Sequence, residues 1–182
     1  MEWLSGGSVA GEIIILPIGA VDAALIEYLS LTLGRTTGRR LRASASAMAP
    51  DFAYDPVRRQ VNSTMLIERL ESEPLAGEPR ILGVTEADLF VPIFTFVFGE
   101  ARLGGRAAVM SAARLRENHY GREDDRALLY RRAEKEALHE LGHLAGLVHC
   151  LDFACVMHFS NSVEEVDIKG DRYCRKCQKR LR

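Results

Sequence analysis

Three histidines at fixed intervals, His139, His143 and His149, with Gly146 between the last two, constrain this chain more than any other feature. They can meet at one point only if a helix carries the first pair and then ends. Residues four apart share a helix face, so His139 and His143 can each turn a ring nitrogen towards one ion. His149 follows six residues later and would sit roughly 120° off that face if the helix continued. Gly146 is positioned to stop it, because glycine enters the left-handed conformation of a helix C-terminus without steric cost. The chain can then turn back and bring in His149. Three nitrogens leave a tetrahedral zinc with one open position, the arrangement of a catalytic site. Glu140 lies beside the pair, where a carboxylate can take the proton of a zinc-bound water as it attacks a carbonyl and pass it to the leaving amine.

Four cysteines form a second constellation, all within the last 33 residues: Cys150 and Cys155, then Cys174 and Cys177 in a C-x-x-C pair. A short-spaced pair followed by C-x-x-C supplies four thiolates for a tetrahedral structural zinc. Two disulfides are the rival reading, which a reducing compartment disfavours. A redox C-x-x-C would be expected between a strand and a helix of a βαβ unit, not in a basic C-terminal stretch. Cys150 directly follows His149, so the two sites share backbone. The 36 residues after Gly146 are too few to bury a core of their own. The expectation is that the cysteine site fixes this tail and the tail positions His149.

Taken together, the run from His139 to Cys177 resembles the archaemetzincins, a branch of the metzincin zinc peptidases that adds a four-cysteine zinc site to the extended histidine motif. The resemblance implies His139, His143 and His149 as catalytic zinc ligands, Glu140 as base, and Cys150, Cys155, Cys174 and Cys177 around a second zinc. Met157 matches the Met-turn methionine that packs beneath the catalytic zinc. On its own terms it is a gap-filling core side chain. Some metzincins have a tyrosine two residues later; this chain has Phe159, without a hydroxyl, and the adjacent His158 reads as a satisfied or solvent-facing histidine. The resemblance implies a peptide substrate and extends to trimming from the amino terminus. Such trimming needs an acid for the free amine, for which Glu86, Asp88 and Glu100 are the candidates. The rival class is a non-catalytic or latent zinc protein acting as a binding module.

A formal charge of −1 gives no general bias towards nucleic acid or membrane. Lys169, Arg172, Arg175, Lys176, Lys179, Arg180 and Arg182 gather at the end, with Tyr173 as the one aromatic among them; a solvated charge run is the simpler reading than a nucleic-acid grip. The apolar run Ile13 to Leu16 meets Pro17 too soon to span a membrane, and no secretory segment is evident, so a cytoplasmic protein is expected. The Asn62-Ser63-Thr64 sequon is then unused.

The pattern predicts strands at Glu12 to Ile18, Arg39 to Ala45 and Arg80 to Val84, and a helix from Val21 to Leu33. Asp55 and Pro56 predict the start of a helix running to about Leu70, followed by a loop from Pro74 to Pro79. Thr95 to Glu100 and Ala107 to Leu115 predict two strands joined by a hairpin at Gly104-Gly105, and Thr95 to Ala101 is the candidate edge that would pair with substrate. Asp124 or Asp125 caps the helix bearing the histidines, whose stripe Tyr130, Ala133, Ala137, Leu141 and Leu144 faces the core. The expected architecture is one α/β (α+β) metzincin-like domain over 1–182, with a twisted mixed sheet and helices in 1–146 and a small irregular zinc-stapled subdomain in 147–182.

Overall fold

Period-two burial sets the sheet. In the strand Ile13–Ile18 (β1), Ile13 and Ile15 enter one apolar cluster while Leu16 and Ile18 enter another on the opposite face. Both faces are covered, which is why these strands read as continuous apolar runs. The computed structural model describes residues 11–75 and 77–181; the first ten residues, Ala76 in the expected loop and Arg182 of the basic tail lie outside that description.

After β1 comes the helix Ala23–Thr37 (α1), capped by the Asp22 carboxylate, which accepts from Ala24 N at 2.9 Å. Leu41–Ala43 (β2) returns beside β1. A small sheet then forms from Tyr54–Asp55 (β3), Gln60–Asn62 (β4) and, later, Leu89–Phe90 (β6). Between them lie the helix Ser63–Glu71 (α2) and the strand Arg80–Thr85 (β5). Gly99–Ala101 (β7) and Ala107–Ser111 (β8) complete the main sheet. Its order is β2-β1-β5-β8-β7, parallel throughout except for β7, which runs antiparallel to β8 at the edge. The long helix Arg126–Leu144 (α3) packs with α1 on one face, and α2 covers the other. Two short helices follow, Val163–Ile168 (α4) and Arg175–Arg180 (α5).

The mixed sheet and the helix stripe match expectation: Ala133, Ala137, Leu141 and Leu144 are buried, and Tyr130 is half-buried against the same core. Three expected elements differ. The helix assigned to Asp55 and Pro56 begins only at Ser63. The Asp55 carboxylate accepts from Val57 N and Arg58 N at 2.9 and 3.0 Å, closing a turn, and Arg59 takes a left-handed φ of 56°. The chain doubles back as β4, and Asn62 becomes the true cap, accepting from Met65 N. The strand expected from Thr95 shrinks to β7, because Arg58 and Gln60 side chains bind the carbonyls of Phe94 and Thr95 and hold that stretch off the sheet. The strand expected to reach Leu115 ends at Ser111, whose hydroxyl donates to Ala87 O at 2.6 Å and accepts from Ala113 N, turning the chain into a 3-10 helix over Ala113–Leu115. The C-terminal part is largely irregular, as expected, with α4 and α5 its two short helices, and Val163, Val166, Tyr173 and Cys177 join the main core.

Asp125 caps α3 through Leu128 N at 2.9 Å. Asp125→Ala is expected to cost about 1 kcal/mol, read as a lower urea midpoint with an unchanged slope.

Candidate metal centre and cleft

Helix α3 carries His139 and His143 one turn apart, and each ring is oriented by a backbone carbonyl. His139 Nδ1 lies 2.8 Å from Val156 O, and His143 Nδ1 lies 2.7 Å from Leu147 O. A carbonyl can only accept, so each Nδ1 carries the hydrogen and each Nε2 presents a lone pair. The two Nε2 atoms face each other at 3.1 Å. Burial, reinforced by the charge of Lys169, holds His139 well below the ordinary imidazole range, and burial also lowers His143 and His149. Neutral rings are the form that binds a metal.

The helix ends where the glycine requires. Gly146 has φ of 86°, its N–H donates to His143 O at 2.9 Å, and Leu147 N donates to Gly142 O at 3.0 Å. The β7–β8 hairpin adds a further bond at this end, from Gly104 N to His143 O at 2.9 Å. The chain then brings in His149, so that the ligand nitrogens of all three histidines lie within 4.8 Å of one another. Two lone pairs at 3.1 Å repel unless a cation lies between them. The edge of a zinc–nitrogen tetrahedron is about 3.3 Å, so this donor set fits zinc.

The cysteines converge likewise. Cys150 Sγ and Cys174 Sγ are 3.8 Å apart, Cys155 Sγ and Cys177 Sγ 3.7 Å, and all four sulfurs lie within 4.8 Å. These separations are too long for disulfides and match the edge of a zinc–thiolate tetrahedron, about 3.8 Å for bonds of about 2.3 Å. Burial raises the Cys155 and Cys177 thiols. Burial opposes ionisation of Cys174 too, but the Cys177 N–H and the neighbouring thiols outweigh it and bring Cys174 below its ordinary value.

Glu140 is buried beside the histidines, and its Oε2 has no hydrogen-bond partner among the described residues. Burial, with the Glu136 charge second, pushes its carboxyl well above the usual range. The three histidines and Glu140 line a cleft of about 530 Å³. Val91, Phe94, Phe96, Leu103 and Val148 make much of it apolar, and the Phe159 ring packs against His149 with centroids 5.0 Å apart and planes tilted by 53°. Met157 is fully buried beneath α3. A Cβ on Gly142 would collide with Met157 Sδ and lie 3.0 Å from Tyr173 Cε1. Tyr173 donates its hydroxyl to Leu138 O at 2.6 Å.

The profile of peptidase family M54 matches residues 77–182. An archaemetzincin of Methanocaldococcus jannaschii is 42% identical over 170 residues, covering 93% of this chain and 92% of that protein. This chain belongs to peptidase family M54, the archaemetzincins. The crystal structure of the Archaeoglobus fulgidus archaemetzincin, complexed with malonate, aligns with a TM-score of 0.81 at 37% identity, over 93% of this chain and 99% of that one. A zinc-dependent peptidase of Methanocorpusculum labreanum aligns with a TM-score of 0.84 at 28% identity, over 93% and 100%. Family and histidine cluster together make this archaemetzincin a zinc metallopeptidase.

The remaining candidates separate in this archaemetzincin. Glu86 is held bidentately by Arg116, and Asp88 by Arg114 with Gln60 adding a third contact; neither lines the cleft. Glu100 does line it, accepting from the Ser63 and Thr64 hydroxyls. His158 is satisfied through Nδ1 at 3.0 Å from Cys150 O. Two members of the basic end are not surface groups: Lys169 is 2% exposed and pairs with Glu136 at 2.6 Å, and Tyr173 is buried, so it offers no face to a base. Among the described residues, no helix is long and apolar enough to cross a membrane. Gly142 and Tyr173 were missed from sequence. Gly142 had a signal, because glycine inside a helix costs about 1 kcal/mol and so calls for a packing reason.

Gly142→Ala is expected to destabilise the protein by about 1–3 kcal/mol through overpacking. Thermal unfolding checks this, and the loss should shrink when Met157→Ala opens the same space.

Proposed function

We propose that His139, His143 and His149 hold the catalytic zinc, that Cys150, Cys155, Cys174 and Cys177 hold a second, structural zinc, and that peptide bonds are hydrolysed with Glu140 as general base. The observation that carries this is the pair of converging Nε2 lone pairs at 3.1 Å with the Glu140 carboxyl buried beside them. Zinc in that seat supplies Lewis acidity towards a carbonyl and a water. The charge of a zinc ion held by the histidines would oppose the effect of burial and favour the ionised Glu140, which takes the proton of the attacking water and returns it to the leaving amine, and no acyl-enzyme is needed. The apolar walls of the cleft exclude bulk water and strengthen these charge interactions. Met157 acts as the Met-turn methionine, filling the space under Gly142 and so steadying the helix that carries two ligands.

The peptide lies extended along the outer side of β7, the part of the expected Thr95 to Ala101 edge that is strand. Residues 94–101 flank the cleft, and β7 is the sheet's terminal strand, so its outer side suits strand addition. Cleavage is from the amino terminus, with Glu100 receiving the free ammonium; Glu86 and Asp88 are already committed to arginines. We read 1–146 and 147–182 as two subdomains of one catalytic domain, joined through a shared core. The four unpaired thiols suit the reducing cytoplasm, where we place the protein.

Glu140→Ala is expected to keep its zinc and lose hydrolysis by about 10²–10⁴-fold, measured by mass spectrometry of products from a peptide mixture; retained turnover would refute the assignment. Peptides with a free amine should be cut in preference to their N-acetylated forms, and Glu100→Gln should erase that preference. Cys155→Ser should weaken zinc binding at the histidines, followed by chelator competition. Undiminished affinity there would separate the two sites.

A further inference from the structure

The edge strand β7 touches the proposed base directly. Gly99 pairs with Met110 of β8, and a Cβ built on it would lie 2.5 Å from Glu140 Oε1 and 2.8 Å from its Cγ and Cδ. Those separations are far inside van der Waals contact. Backbone conformation does not require glycine here, since Gly99 is not among the residues with positive φ. The requirement is space, and the space belongs to one side chain: the three nearest atoms all come from Glu140.

We infer that Gly99 is a positioning residue, whose missing side chain is the seat that fixes the Glu140 carboxyl against the cleft wall. The inference rests on the reading of Glu140 as general base. Glu140 has little else to hold it, because its Oε2 lacks a hydrogen-bond partner among the described residues. A carboxylate that must move a proton loses rate steeply when displaced by an ångström, so steric confinement here does the work that hydrogen bonds do in other sites. The seat also ties recognition to chemistry. The strand proposed to pair with the substrate backbone is the same strand that bounds the base, so a shift of β7 moves both.

Gly99→Ala separates this role from a structural one. An alanine suits the backbone, and the three nearest atoms it meets all belong to the Glu140 side chain, so the carboxyl is what must be displaced. The expected result is unchanged zinc content, KM within about threefold of wild type, and kcat at least about tenfold lower. Thermal unfolding gives a readout independent of turnover. The midpoint should fall by at least about 3 °C when Gly99→Ala is made alone, and should not fall when it is made in the Glu140→Ala protein, where the colliding atoms are gone. A Gly99→Ala protein with wild-type kcat, or an equal fall of the midpoint in both backgrounds, would overturn the inference. Turnover surviving in Glu140→Ala itself would instead remove the base assignment, while the unfolding comparison would still decide whether the carboxyl sits on Gly99.

Discussion

Two carbonyl oxygens, those of Val156 and Leu147, govern the metal centre. By accepting from Nδ1 of His139 and His143 they fix the tautomer and rotation of both rings, and so aim two lone pairs at one point. Neither oxygen belongs to the helix that carries the histidines. Each is supplied by chain that has left α3 and returned beneath it, which is possible only because Gly146 ends the helix in a left-handed conformation. The same return brings Met157 under Gly142 and Cys155 into the cysteine cluster. The histidine and cysteine clusters are thus both consequences of a single change of chain direction.

Helix α3 is consequently burdened with buried polar groups. Arg132, 2% exposed, is paired with both Glu117 and Asp167, and Lys169 with Glu136, in addition to Glu140 and the histidines. The Lys169–Glu136 pair is buried on both sides and Arg132 on its own side, and because a buried pair adds little over apolar packing while losing one partner is costly, these pairs fix position more than they add strength. Asp167 and Lys169 lie at the end of α4, so both pairs clamp the C-terminal chain onto the active-site helix.

The convergence of the candidate ligands was legible because a shared ligand geometry constrains residue type and spacing, both of which a sequence states outright. His139, His143, His149 and the four cysteines assemble as their intervals imply, and Gly146 stops the helix where a third histidine demands it. The boundaries that failed did so for local reasons with tertiary causes. Asp55-Pro56 and Asn62 are equally good starts for a helix by their residue types, and the choice was made by Asp55 closing a turn and by β4 pairing with β3 and β6. The stretch from Thr95 has strand-forming residues, but Arg58 and Gln60, more than thirty residues earlier, hold its carbonyls elsewhere. Lys169 looked like the start of a solvated basic run, since nothing nearby in sequence announces Glu136 as its partner. Gly99 gave no signal at all, because the atom it must avoid lies 41 positions away, on Glu140.

Zinc K-edge X-ray absorption of the purified protein tests directly whether one chain holds two chemically different zinc sites. Two shells are expected, nitrogen or oxygen at about 2.0–2.1 Å and sulfur at about 2.3 Å, with His139→Ala/His143→Ala leaving a pure sulfur shell. A sulfur-only spectrum from the wild type, with all three histidines intact, would contradict that expectation.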